Sequence, residues 1–66
     1  MSVLIETTGY DLRPLFIAKD KIVGMQERKD NPQQTVVYIQ GAGPGGTEEW
    51  IINESVHTFR VKYDNS

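Results

Sequence analysis

Apolar and polar residues alternate with a period of two through most of this chain, and turn-forming residues break the alternation about every ten positions. That pattern predicts short antiparallel strands. A first strand is expected over residues 2–8, closed by Gly9-Tyr10-Asp11, and a second over 15–18, after Pro14, whose missing N–H suits a strand start. A third covers 21–27, with Val23 and Met25 on one face and Ile22 and Gly24 on the other. Lys29-Asp30-Asn31-Pro32 then turns the chain, because Asp and Asn bond their own backbone and Pro fixes φ.

The fourth and fifth strands, 35–40 and 47–53, are apolar on both faces: Val37 and Ile39 oppose Val36 and Tyr38, and Trp50 and Ile52 oppose Ile51. Paired as a hairpin, these strands are expected to gather Val36, Tyr38, Trp50 and Ile52 on one face. A strand with two apolar faces needs cover on both sides, which in a small chain points to a second subunit. Residues 53–57 suit a single helical turn with Asn53 as its N-cap and Glu54 near the positive end, followed by a last strand over 59–63. The rival is a helix from 53 to 63 with Val56, Phe59 and Tyr63 on one stripe; the strand is preferred. The fold expected is all-β: one domain over residues 1–66, an antiparallel β-meander or SH3-like barrel of five to six short strands.

The chain has 66 residues and no cysteine, so neither disulfides nor a thiolate metal site support it. A single core below roughly 70 to 80 residues rarely supplies more than ~3 to 5 kcal/mol, and self-association is the remaining common remedy. A homo-oligomer is expected. No apolar run approaches the ~20 residues a membrane helix needs, and the N-terminus has no secretory pattern. The expectation is a cytoplasmic protein with no membrane partner.

A net charge of −2 argues against general nucleic-acid binding, which needs a basic surface. The charge is uneven, however. Residues 13–29 hold Arg13, Lys19, Lys21, Arg28 and Lys29 against Asp20 and Glu27, a local +3, while the remainder is at −5. That leaves room for a small anionic ligand or for head-to-tail contact between copies.

Residues 41–46, Gly-Ala-Gly-Pro-Gly-Gly, satisfy the G-x-G-x-x-G spacing after a strand, but the segment that follows fits a strand rather than the helix a dinucleotide site requires. A hairpin loop is the plain reading, and a loop whose backbone N–H groups at Gly43 and Gly45 hold an anion is the functional one. His57 is the only imidazole and has no neighbour at a metal-ligand or triad spacing. Glu48 and Glu49 alternate across a strand and so make no acid–base pair. No catalytic residue, metal or cofactor is expected. Trp50 and Tyr38 are flat amphipathic side chains suited to a core, an interface or a planar ligand, and Arg28 and Lys29 are the candidate phosphate partners.

The succession Ile17-Ala18-Lys19-Asp20-Lys21-Ile22, Thr35-Val36-Val37-Tyr38-Ile39 and Ile51-Ile52-Asn53-Glu54-Ser55-Val56 resembles small bacterial and phage β proteins of the flagellar FlbD type. The resemblance implies a β-meander or SH3-like barrel and brings no catalytic residues. In size, glycine loop and scattered cations and aromatics the chain is also similar to small phage-encoded oligomeric inhibitors that sequester cyclic-nucleotide immune signals. The function expected is therefore non-enzymatic: an oligomeric inhibitor that sequesters a small anionic ligand such as a nucleotide, through Arg28, Lys29, Tyr38, Trp50, Gly43 and Gly45. The alternative is a protein-interaction module that binds and blocks a larger partner, such as a host protein.

Overall fold

The computed structural model describes residues 3–41 and 45–66. The chain runs β1 (Leu4–Thr8), β2 (Pro14–Ala18), a 3-10 turn (Lys19–Lys21), β3 (Ile22–Glu27), β4 (Thr35–Gln40), β5 (Thr47–Ile52) and one helix, α1 (Val56–Asp64). β1 and β2 form a two-stranded antiparallel hairpin, and β3, β4 and β5 a three-stranded antiparallel meander. The protein is mostly β, as the alternation predicts, but no barrel is closed. Among the described residues the two sheets meet at a single bridge, Gly9 opposite Ile52, flanked by Tyr10 N donating to Ile51 O (3.0 Å) and Asn53 N donating to Thr8 O (2.7 Å).

The core lies between the sheets and under the helix. Ile5 and Ile17 come from the hairpin, Val37, Ile39 and Ile52 from the meander, and Phe59 from α1, all buried. Leu15, Ile22, Met25, Trp50 and Tyr63 pack around them.

Three expectations are corrected here. The strand expected over 59–63 is a helix, and its N-cap is Ser55 rather than Asn53: the Ser55 hydroxyl accepts from Thr58 N at 3.2 Å, satisfying a donor that the helix start leaves open. As a strand, Phe59, Val61 and Tyr63 would share a face. As a helix, Phe59 and Tyr63 face the core four residues apart, and Val61 is exposed. Second, β3 does not alternate cleanly. The register shifts between Ile22 and Gly24, so Val23 is the extra residue of a bulge and is exposed, while Ile22 and Met25 both face inward opposite Ile39 and Val37. Third, β5 pairs with β4 so that Val37 faces Trp50 and Thr35 faces Ile52. Trp50 and Ile52 therefore join the inner face, and Val36, Tyr38 and Ile51 lie on the other. One residue of register decides this, and the expected common face of Val36, Tyr38, Trp50 and Ile52 does not form.

Two threonines sit in the core among these apolar side chains, Thr7 and Thr35. Both hydroxyls are satisfied by one residue: Thr7 Oγ1 donates to the Glu54 carboxylate and Thr35 Oγ1 to the Glu54 carbonyl at 2.8 Å. The same carboxylate pairs with Lys62 Nζ at 2.7 Å, and Lys62 also donates to Glu6 O at 3.1 Å. Glu54 thus ties β1, β4 and α1 together.

Replacing Glu54 by Ala leaves the Thr7 hydroxyl buried without a partner, so Glu54→Ala is expected to lower unfolding stability by about 2 kcal/mol. Arg60→Ala, which removes only the exposed Arg60–Asp64 pair at 3.7 Å, should change it by less than about 0.5 kcal/mol. Urea unfolding of the two variants checks the contrast.

Candidate functional site

The β1–β2 hairpin turns through Tyr10, Asp11 and Leu12. Gly9 N donates to Arg13 O at 2.9 Å and Leu12 N to Gly9 O at 2.9 Å, which closes a tight turn whose third residue takes the left-handed conformation. That residue is Leu12, with φ of 68° and 71% of its surface exposed. Glycine or asparagine ordinarily holds this position, so the turn carries local backbone strain on an exposed apolar side chain. Asp11 stiffens the turn from the side: its carboxylate accepts from Arg13 N at 3.2 Å and Arg13 Nε at 2.7 Å. The Arg13 side-chain hydrogen bond, first, and then its backbone N–H hold the Asp11 carboxyl below the usual carboxylate range.

An open groove of about 570 Å³ runs between this turn and β5. Tyr10, Asp11, Arg13, Pro14 and Leu15 form one wall; Trp50 and Ile51 form the other. Its volume is within the range of ordinary ligand sites. Trp50 is half-buried, because its inward strand position packs it against the core while the hairpin stops short of covering it. Tyr10 is 62% exposed. Two aromatic side chains therefore flank one concave surface, with a cation and an anion at its rim.

The residues expected to form the site do not come together. Trp50 lines the groove, whereas Tyr38 lies on the opposite face of the meander, its ring beside Gly24 and its hydroxyl donating to Gln26 Oε1 at 3.2 Å. Arg28 and Lys29 sit where β3 leads into the turn before β4. The Arg28 guanidinium is held by Gln34 Oε1 at 2.8 Å, and neither residue lines the groove. Gly41 N donates to Gly46 O at 2.8 Å where β4 leads to the antiparallel β5, as a hairpin requires; residues 42–44 lie outside the described residues. Gly45 has φ of 70° and is exposed, and among the described residues nothing would meet a Cβ placed there, so it serves the backbone path; Gly43 lies outside the described residues. Tyr10, Asp11 and Arg13 were legible only as a turn and as part of the basic segment. What would have distinguished them is the union of β1 with β5, a contact between chain ends that local periodicity does not report.

Among the described residues no group of three or more His, Cys, Asp or Glu side chains could hold a metal ion, and no helix is long and apolar enough to cross a membrane. No protein-family model, curated protein or solved structure matches the chain.

Two measurements test this geometry. Leu12→Asn, which tolerates the left-handed conformation, should raise stability by about 1 kcal/mol; a loss of stability in urea unfolding would contradict the strained turn. The depressed Asp11 carboxyl means that its link to Arg13 is in place above the ordinary carboxylate range and is lost as pH falls through the lower, folded-state value. The Asp11 carboxyl carbon, followed by NMR, should therefore titrate below the usual range, and Arg13→Ala, which removes the side-chain bond and keeps the backbone N–H, should bring it part of the way back.

Proposed function

We propose that the chain is a non-enzymatic binding module of the cell interior, which engages a larger protein through the groove between the β1–β2 turn and β5. The observation that carries this reading is that Tyr10 and Trp50 both line one open groove. Large aromatic side chains in a concave, partly desolvated surface are the usual energetic centre of a protein interface. The groove brings no cluster of titratable groups beyond the Asp11–Arg13 pair, and that pair is engaged with itself. The FlbD-type resemblance points to the same class of action, a small regulator that binds and blocks a partner. On this reading the expected SH3-like barrel is an open one, and the opening is the binding surface.

A second reading, sequestration of a planar anionic ligand such as a nucleotide by an oligomer, keeps one supporting observation: Arg13 lies beside both aromatics with most of its side chain exposed. It requires Arg13 to leave Asp11, and it draws nothing from Arg28, Lys29 or Tyr38, which lie outside the groove. The half-buried outer-face residues Val36, Tyr38 and Ile51 remain the surface through which copies would associate.

Trp50 is the only tryptophan and lines the groove, so its fluorescence reports occupancy directly. Titration with a panel of extended peptides is expected to shift its emission, and Tyr10→Ala should weaken that binding roughly tenfold or more. Linear and cyclic nucleotides should leave the emission unchanged. If nucleotides shift it and peptides do not, and light scattering finds an oligomer, sequestration is the function.

A further inference from the structure

The edge of β5 that faces the hairpin is used over only part of its length. Ile51 O accepts from Tyr10 N and Asn53 N donates to Thr8 O, and there the pairing with β1 ends because the chain turns away at Asp11. Strand alternation directs the backbone groups of every second residue to the same edge, so the N–H and C=O of Glu49 point the way Ile51 O does. Among the described residues no backbone group of another strand meets them on that side. The open edge borders the groove, since Trp50 and Ile51 belong to both.

The charge on this edge is uniform. Glu48 and Glu49 are exposed, they point to opposite faces of β5, and the ion pairs among the described residues, Arg13–Asp11, Arg60–Asp64 and Lys62–Glu54, involve neither. Edge strands are commonly protected by charge against pairing with copies of themselves. Here two such edges brought together would set carboxylates against carboxylates. The same charge favours a strand that carries cations.

We infer that the groove receives an extended basic segment of a partner protein, which adds as a strand to the edge of β5 at Glu49 and sets an apolar or proline side chain between Tyr10 and Trp50. This rests on the reading of the chain as a protein-binding module. Main-chain bonds to Glu49 supply affinity that is independent of side chains. The alternating side chains of the added strand supply selection: cations meet Glu48 on the face of Trp50 and Glu49 on the face of Ile51, and the apolar side chain packs on the aromatics. A cross-strand pair of opposite charge changes a dissociation constant by roughly 1.5 to 5-fold, so reversing both glutamates should cost about tenfold in affinity for a basic segment.

The test is selection from a random library of short displayed peptides on the intact protein and on the double variant Glu48→Lys, Glu49→Lys, both positions being exposed. Peptides held by the unaltered protein are expected to carry Lys or Arg at two consecutive positions beside an apolar residue, and those held by the variant should be acidic at the same positions. With a selected peptide bound, the Glu49 amide should exchange with solvent at least tenfold more slowly. Selection of acidic or uncharged peptides, no selection at all, or an unprotected Glu49 amide beside a shifted Trp50 emission overturns strand addition; in the last of these the groove still binds protein segments. If no peptide moves the Trp50 emission while nucleotides do, the protein-binding reading itself fails, and strand addition with it.

Discussion

The carboxylate of Glu54 is the point on which the rest of the molecule hangs. It lies between the last strand and the helix, and it is reached by Thr7 from β1 and Lys62 from α1, while its own carbonyl takes the hydroxyl of Thr35 in β4. Burying a carboxylate is costly unless it is paired and hydrogen-bonded, and here both conditions are met. A helix of nine residues has little stability of its own. Its docking through Lys62 and the wholly buried Phe59 is what makes residues 56–64 helical.

That arrangement decides where the groove lies. The two sheets share one bridge and two flanking backbone bonds, so the hairpin is oriented against β5 by the Thr7 to Glu54 contact and the packing of Ile5 and Ile17 as much as by pairing. The hairpin then turns away from β5 with its own hydrogen bonds complete, Gly9 to Arg13 and Asp11 to Arg13. What remains between them is a wedge with Trp50 on one side and Tyr10 on the other. The bulge at Val23 has a matching effect at the far edge of the meander, where it turns an apolar residue outward and keeps Ile22 and Met25 under the sheet.

Much of the fold was legible because strands with alternating burial announce themselves. Val37 and Ile39 against Val36 and Tyr38 place β4 without reference to anything distant, and the turn at Asn31 follows from its side chain accepting Gln33 N at 3.0 Å. Where the reading failed, the deciding contact was remote in sequence. Phe59-Arg60-Val61-Lys62-Tyr63 alternates as a strand does, and only the burial of Phe59 and the pairing of Lys62 with Glu54 select the helix. The face on which Trp50 lies depends on a register in which Gln40 faces Thr47, and a glycine-rich loop does not specify register by its composition. The candidate site suffered most, because its two walls are some forty residues apart along the chain; Trp50 could be singled out, and Tyr10 could not be placed beside it.

The groove is also where the molecule is least tied to itself. Among the described residues, backbone pairing between the sheets is confined to residues 8–10 and 51–53, and beyond it the sheets are joined only through side chains, by the shared core and the Thr7–Glu54 contact. A segment laid along Glu49 and packed between Tyr10 and Trp50 would continue the edge of β5 past the point where β1 leaves it and bridge the two sheets a second time. Such a segment binds the folded arrangement and not the unfolded chain, so its binding free energy adds to folding stability by mass action. In a 66-residue chain without disulfides, where the core supplies few kcal/mol, that linkage joins the two questions the structure raises: what holds so small a domain together, and why the edge of β5 is left open beside its only tryptophan.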